Sequence, residues 1–479
     1  MINCFIPFLS LPQARQTVRA LGLCDRIKNI YLLATEKIPD EVEGCEMLMI
    51  DSPASTATFR TIALHADTAY TLLYTKYTAF EPGQFAFERL LAIAGDTNAG
   101  MLYADRYLLK NGNSQQAPVI DYQKGSLRDD FDFGSLLFFR SSVLKQAVRA
   151  MDADYRFAGL YDLRLRVSEL AELVHVNEYL YSEVETDIRK SGEKLFDYVD
   201  PKNRAVQIEM EAVCTAYLKR VGGYLAPDFE PVTFDVGGFE QEASVIIPVR
   251  NRIRTIEDAI RSVLAQKTTF RFNLIIVDNH STDGTSEAIG KYTADGRVVH
   301  LVPERSDLGI GGCWNVGVHH PACGKFAVQL DSDDVYSGPD TLQKIVDAFY
   351  EQNCAMVVGT YRMTDFKMNE IPPGIIDHRE WTLENGRNNA LRINGLGAPR
   401  AFYTPVLRRI NLPNTSYGED YALGLRISRT WRIGRIYDVL YLCRRWEDNS
   451  DAALDVVKMT DIIPTKTVFV LGNCRRGLP

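Results

Sequence analysis

Two short apolar runs in the second half of the chain each end on an aspartate, and this constrains the fold more than any other feature. Leu274-Ile275-Ile276-Val277 leads into Asp278, and Phe326–Leu330 leads into Asp331-Ser332-Asp333-Asp334. The first run, apolar at every position, suits a strand buried on both faces of a parallel sheet. Ahead of the first run, Ser244–Ile247 reads as a strand, and Ile256, Ala259, Ile260, Val263 and Leu264 then recur at helical spacing. A helix from about Thr285, a strand Val298–Val302 and a helix around Gly312–His319 complete the alternation. Strand and helix in regular exchange, joined by short links, predict an α/β fold with a mostly parallel central sheet. Such sheets bind ligands in the crevice beyond the carboxyl ends of their strands. Asp278 and the 331–334 run are therefore expected to face one crevice.

Three carboxylates within four residues repel one another unless a cation compensates them. Oxygen-only ligands of this kind suit Mg²⁺ or Mn²⁺. Taken alone, the run is equally a solvated acidic turn, and Asp278 alone is more often an Asx-turn residue. Leu308-Gly309-Ile310-Gly311-Gly312-Cys313-Trp314-Asn315 is a glycine-rich approach to a helix, open to phosphate binding or to a plain loop. Tyr417-Gly418-Glu419-Asp420 opens the amphipathic run Tyr421–Arg429. Acids there complement the helix dipole, and one of them could also take a proton from a hydroxyl. Residues 371–446 hold twelve arginines, no lysine and six acids. Most of these arginines are expected on solvated helix faces. Arg444 and Arg445, beside Trp446, are the candidates for gripping a diphosphate.

Glycine, proline and acidic residues replace periodic pattern from Gly222 to Gly238, which is linker composition in a chain of 479 residues. The expected division is a first α/β domain over 1–225, closed by a helix at 204–220, a linker 226–242, a second domain 243–455 and a tail 456–479. The halves resemble each other. Leu163–Ser168 matches Leu423–Ser428, and Glu178–Tyr181 matches Asp438–Tyr441, both about 260 residues apart. Cys4–Pro7 falls on Val245–Pro248, and Ile30–Leu33 on Leu274–Val277. A net charge of -8 and a pI near 5.6 argue against a nucleic-acid partner. The chain contains no apolar stretch of spanning length and no signal-peptide pattern at its start. Nine cysteines without CxxC spacing fit free thiols in a cytoplasmic protein.

Four motifs in order carry a resemblance. Val245-Ile246-Ile247-Pro248-Val249-Arg250-Asn251, then Ile276-Val277-Asp278-Asn279 with Ser281-Thr282-Asp283-Gly284-Thr285, then Leu330-Asp331-Ser332-Asp333-Asp334, then Gly418-Glu419-Asp420 resemble a family-2 glycosyltransferase of the GT-A fold over roughly 244–450. The resemblance implies inverting transfer from a nucleotide-sugar, UDP-sugar by default, with Mn²⁺ or Mg²⁺. It implies Asp420, with Glu419 beside it, as the catalytic acid pair and Asp420 as general base. It places Asp331 and Asp333 on the metal. Donor contacts fall to Pro248, Arg250, Asn251, Asp278, Asn279, Asp283, Asn315 and Asp331, with Arg444 and Arg445 added on the chemistry of arginine. Cys313-Trp314-Asn315 stands where many relatives carry Ala-Arg-Asn, and Asn279 replaces the second acid of an Asp-Asp pair. The implied acceptor is a glycan or lipid-linked hydroxyl in surface polysaccharide or glycoconjugate synthesis, at the inner face of a membrane.

The first half resembles the same fold in degenerate form: Ala34 stands for Asp278, Thr75-Lys76-Tyr77 for Asp331-Ser332-Asp333, and Leu160 for Asp420. It is expected to be catalytically silent and to serve a homodimer, the acceptor or stability. A sugar nucleotidyltransferase is the alternative enzyme, although Val249-Arg250-Asn251-Arg252 lacks the glycine-rich loop that class would show. A nucleotide-sugar-binding protein without turnover is the other alternative.

Overall fold

The computed structural model of the chain describes residues 1–37, 40–110, 112–184, 203–235 and 238–446. The expected tail 456–479 and the end of the expected second domain lie outside these residues. Two compact units divide the described chain, one holding the first 184 residues and Arg204–Val221, the other running from Gly222.

In the first unit, β1 (Ile2–Pro7), β2 (Ile27–Ala34), β3 (Glu46–Met49), β4 (Tyr70–Tyr74), β5 (Phe80–Pro82), β6 (Met101–Lys110), β7 (Asn113–Ala117), β8 (Leu136–Arg140) and β9 (Leu173–Val184) form one sheet. Its order is β3-β2-β1-β4-β8-β6-β9-β5, with β7 paired to β6. Alternate residues of β1 enter opposite cores, Cys4 and Ile6 with Leu72 and Phe138 on one face, Phe5 with Tyr31 and Leu73 on the other. That two-sided burial is why the strand reads as apolar throughout.

The second unit repeats the plan with β10 (Ala243–Val249), β11 (Phe272–Asp278), β12 (Val298–Leu301), β13 (Phe326–Gln329), β14 (Val335–Tyr336), β15 (Met356–Thr364), β16 (Glu370–Ile376), β17 (Arg400–Tyr403) and β18 (Ile433–Arg444). The order is β12-β11-β10-β13-β17-β15-β18-β14, with β16 paired to β15. Position for position this is the order of the first sheet, with the same parallel and antiparallel partners. The register agrees too: Cys4 pairs with Ile30 in β1–β2, and Val245 with Leu274 in β10–β11, as the sequence match predicts. The mixed α/β fold with mostly co-directional strands is as expected, and the helix closing the first unit spans Arg204–Arg220.

Two expectations are corrected. Asp278 is the last residue of β11 rather than the first of the turn, because the pairing with β10 runs on to Val249. The arginines of 371–446 are not on solvated faces, since only Arg379 and Arg409 are exposed. Several of the others fold inward onto loop carbonyls, as Arg387 Nη1 does on Ala226 O and Asp228 O, each at 2.7 Å, and as Arg435 does on Gly395 O. The guanidinium fork supplies donors that irregular backbone needs and that helix-face reasoning overlooks. Among the described residues, no helix is long and apolar enough to cross a membrane.

Candidate active site

The carboxyl ends of β10 and β13 open onto a cavity of about 350 Å³ in the second unit. Asp331, Asp333 and Asp334 enter it from the turn after β13, and Glu419 and Asp420 enter from the helix Glu419–Ser428. Residues almost ninety positions apart thus share one space. Pro248, Arg252, Trp314, Arg400, Tyr417 and Arg445 also line it.

The acidic turn is held from below. The Asp331 amide donates to Tyr441 Oη at 3.1 Å, and Gln329 Nε2 donates to Asp331 Oδ1 at 2.9 Å. The Arg444 amide donates to Asp334 Oδ1 at 2.7 Å, while its guanidinium reaches the Asp333 carbonyl at 2.5 Å and Asp258 Oδ2 at 2.8 Å. Arg444 is therefore buried beneath the turn, and Arg445 is the member of the pair that lines the cavity. Burial raises the Asp331 carboxyl, with Asp333 adding to the rise against the pull of Arg400. Burial, then Asp333 and Asp331, push Asp334 well up. Asp333 Oδ2 accepts from Trp446 Nε1 at 3.2 Å and lies 4.0 Å from Arg252 Nε. A group of hard carboxylate oxygens in which burial, and then neighbouring carboxylates, raise Asp331 and Asp334 fits a divalent cation of the Mg²⁺ or Mn²⁺ kind.

The opposite wall is built differently. Gly418, at φ 77°, turns the chain into the helix that begins at Glu419, so both acids stand in its first turn. Asp420 Oδ2 pairs with Arg400 Nη1 at 2.8 Å, and Arg400 Nη1 also donates to Leu396 O at 2.8 Å. Glu419 is only 8% exposed, and its Oε2 has no hydrogen-bond partner among the described residues. Burial, reinforced by Asp420, pushes its carboxyl up to about 8. At neutral pH the pair is thus asymmetric: Glu419 keeps its proton, and the guanidinium of Arg400 compensates Asp420.

The glycine-rich run serves this wall. A Cβ on Gly311 would fall 1.9 Å from Pro413 O, and one on Gly312 would fall 2.2 Å from Asn414 Oδ1. Asn315 clamps the same loop, donating to Leu412 O at 2.8 Å and accepting from Leu412 N at 2.9 Å. These residues place the loop that delivers Glu419 and Asp420.

The remaining candidates sit beside the cavity rather than in its lining. Asp278 is fully buried; its Oδ1 accepts from Ser281 N at 3.0 Å, and its Oδ2 accepts from Ser286 Oγ and stands 3.4 Å from His300 Nε2. Burial opposes ionisation there, but the bonds from Ser281 and Ser286 outweigh it and hold the carboxyl low. Asn279 Nδ2 donates to Leu308 O at 2.8 Å. Asn251, at φ 54°, accepts from Thr282 N at 2.8 Å, and Asp283 accepts from Ile253 N at 3.1 Å. Together they tie the turn after β11 to the loop bearing Arg252. Arg250 is exposed and does not line the cavity. The lining residue least visible in the sequence is Arg400. It opens an antiparallel strand that nothing local marks as part of a site, and only its distance from Asp420 reveals it.

A model of the family described as glycosyl transferase family 2 matches residues 244–409. A glycosyltransferase of Rickettsia felis is 30% identical over 200 residues, 41% of this chain and 32% of that protein. TuaG of Bacillus subtilis, a glycosyltransferase named for teichuronic acid biosynthesis, is 33% identical over 120 residues, 25% of this chain and 46% of that protein. This chain spans less than half the length of either relative. Among solved structures, residues 1–349 of S. aureus TarS with UDP-GlcNAc are 22% identical at a TM-score of 0.39, over 48% of this chain and 66% of that one. The match over residues 244–409 takes in the acidic turn after β13, so this stretch of the second unit is similar to glycosyl transferase family 2.

Proposed function

We propose that the second unit transfers a glycosyl group from a nucleoside-diphosphate sugar to an acceptor hydroxyl, with inversion at the anomeric carbon. The observation that carries this reading is the convergence of Asp331, Asp333 and Asp420 on one cavity in a unit similar to this family. The acceptor oxygen attacks the anomeric carbon as the bond from that carbon to the diphosphate breaks, and the electron pair leaves with the diphosphate. The acceptor proton passes to Asp420. A single displacement of this kind inverts the centre. Glu419, protonated near neutrality, serves as a hydrogen-bond donor and not as the base.

Arg252 and Arg445 face the diphosphate, and Arg400 holds the Asp420 carboxylate in place. Asp331 and Asp333 would hold Mn²⁺ or Mg²⁺, which supplies positive charge to the departing diphosphate. The turn after β11, with Asp278, Asn279, Asp283 and Asn251, supports the nucleoside end. TuaG, by its name, supports a product that is a surface polysaccharide or glycoconjugate. In the first unit, Ala34, Thr75 and Leu160 occupy the places of Asp278, Asp331 and Asp420, which supports a unit without transfer chemistry.

The test is release of nucleoside diphosphate from UDP-, GDP- and dTDP-sugars in the presence of Mn²⁺. Wild type is expected to turn over one of them. Asp420→Asn is expected to lose about 10²–10⁴-fold in rate while calorimetric affinity for the nucleotide stays within about twofold. Ordinary turnover by Asp420→Asn removes it as the base, and no turnover of any donor by wild type contradicts the reading.

A further inference from the structure

The first unit keeps the cavity but loses the charges at the three matched positions, while Asp129, Asp132 and Arg164 line it elsewhere. In β1, Cys4 pairs with Leu72, which pairs with Phe138; in β10, Val245 pairs with Val328, which pairs with Ala401. This register sets Leu137 at the place of Arg400 and Thr75 at the place of Asp331. Leu160 is second in the helix Gly159–Leu170, as Asp420 is in Glu419–Ser428. All three replacements line a cavity of about 310 Å³, close in size to that of the second unit. The ion pair across the second cavity has become two leucines facing one space.

The charged groups in and near the lining have partners of their own within the unit. Glu183, fully buried, accepts from Lys76 Nζ at 2.8 Å and from Arg106 Nε at 3.0 Å. A second Arg106 nitrogen donates to Asp132 at 2.8 Å. The Arg164 guanidinium sits 4.9 Å from the Tyr161 ring centre and 5.4 Å from that of Phe133, and donates to Ser126 O and Arg128 O. The walls are left to Met101, Phe131, Leu137, Phe139 and Tyr161, none more than 7% exposed, with Phe157 half-buried among the lining. Walls this buried make a recess and not a patch, so a helix or a sheet edge of another protein does not enter it. A volume in the range of small-molecule sites, with apolar walls and compensated charges, selects an uncharged apolar guest.

We propose that the first unit binds a hydrocarbon chain, of the acyl, alkyl or polyprenyl class, at the place where the second unit keeps its charged cavity. This site stands independently of the transfer reaction, and either can fail alone. Burial of methylenes sets the expected signature: each one removed from water is worth about a fourfold gain in affinity.

The full-length protein titrated with n-hexanol, n-octanol and n-decanol by calorimetry tests it. One saturable site is expected, with affinity rising about fourfold per methylene until the recess is full. UDP with Mn²⁺ is expected to leave that affinity unchanged. Phe157→Asp and Leu160→Asp each place a carboxylate in the lining and are expected to weaken binding at least about tenfold. Phe157 is half-buried, so its variant decides the matter if Leu160→Asp does not fold. Absence of saturable binding, no dependence on chain length, displacement by UDP, undiminished binding by Phe157→Asp, or tighter binding of methyl glucoside than of the alkanols would each overturn the proposal.

Discussion

Glu419 and Asp420 are chemically similar neighbours that their surroundings make different. Arg400 pairs with Asp420, and Glu419 Oε2 has no hydrogen-bond partner among the described residues. Raised to about 8, Glu419 holds its proton in the folded chain over a range where the unfolded chain has lost it. The folded state therefore carries no penalty from this group below about pH 4.5, the usual glutamate value. Stability is lost as pH rises from there through about 8, then levels off. Thermal unfolding of the metal-free protein checks this: Glu419→Gln is expected to gain on wild type as pH rises from 5 to about 8.5, and a constant difference contradicts it. Asp278 acts through structure at the same scale. Removing its carboxylate strands the half-buried donors of Ser281 and Ser286, so Asp278→Ala is expected to cost about 1–3 kcal/mol in denaturant unfolding and to weaken UDP binding without changing its dependence on Mn²⁺. The chain of reasoning from sequence reaches Asp331, Asp333 and Asp420 because each sits at the end of a patterned element. It does not reach Arg400, whose role depends on an antiparallel crossing that no local pattern encodes.

At the scale of elements, the glycine-rich run and the loop before Glu419 form one mechanical unit. From sequence, Gly309–Gly312 was open to phosphate binding or a plain loop; its close neighbour in the fold is the protein's own backbone at 413–415. Sequence pattern shows that glycines permit close approach but not what approaches, since the partner loop lies about a hundred residues away. Gly311→Ala forces a carbon against Pro413 O and must displace the loop that delivers Asp420. Its expected effect is loss of turnover of at least about tenfold, because small misplacements of a catalytic group are expensive, with Mn²⁺-dependent UDP binding retained. Equal loss of both activities would mean that the cavity is disrupted as a whole. The inward arginines teach a related lesson. Composition signals arginine enrichment over 371–446 but not that side chains such as Arg387, Arg400 and Arg435 satisfy loop carbonyls, because long irregular segments leave backbone acceptors that periodicity does not report.

At the scale of the molecule, two sheets of identical strand order share a plan while differing in the groups that face their cavities. The duplication is legible in sequence because buried parallel strands keep apolar residues in fixed register. The divergence of the cavities is legible only in part, since Leu160 and Thr75 are visible as substitutions, whereas Leu137 acquires meaning once Arg400 does. The central claim is that the acidic turn after β13 and Asp420 make one metal-assisted nucleotide-sugar site. Calorimetric titration of the full-length protein and of Asp333→Ala with UDP, with and without Mn²⁺, tests it most directly. Wild type is expected to bind UDP tightly only with Mn²⁺, and Asp333→Ala is expected to lose that metal-dependent gain. Binding by wild type that ignores Mn²⁺, or an Asp333→Ala protein that binds as wild type does, would contradict it.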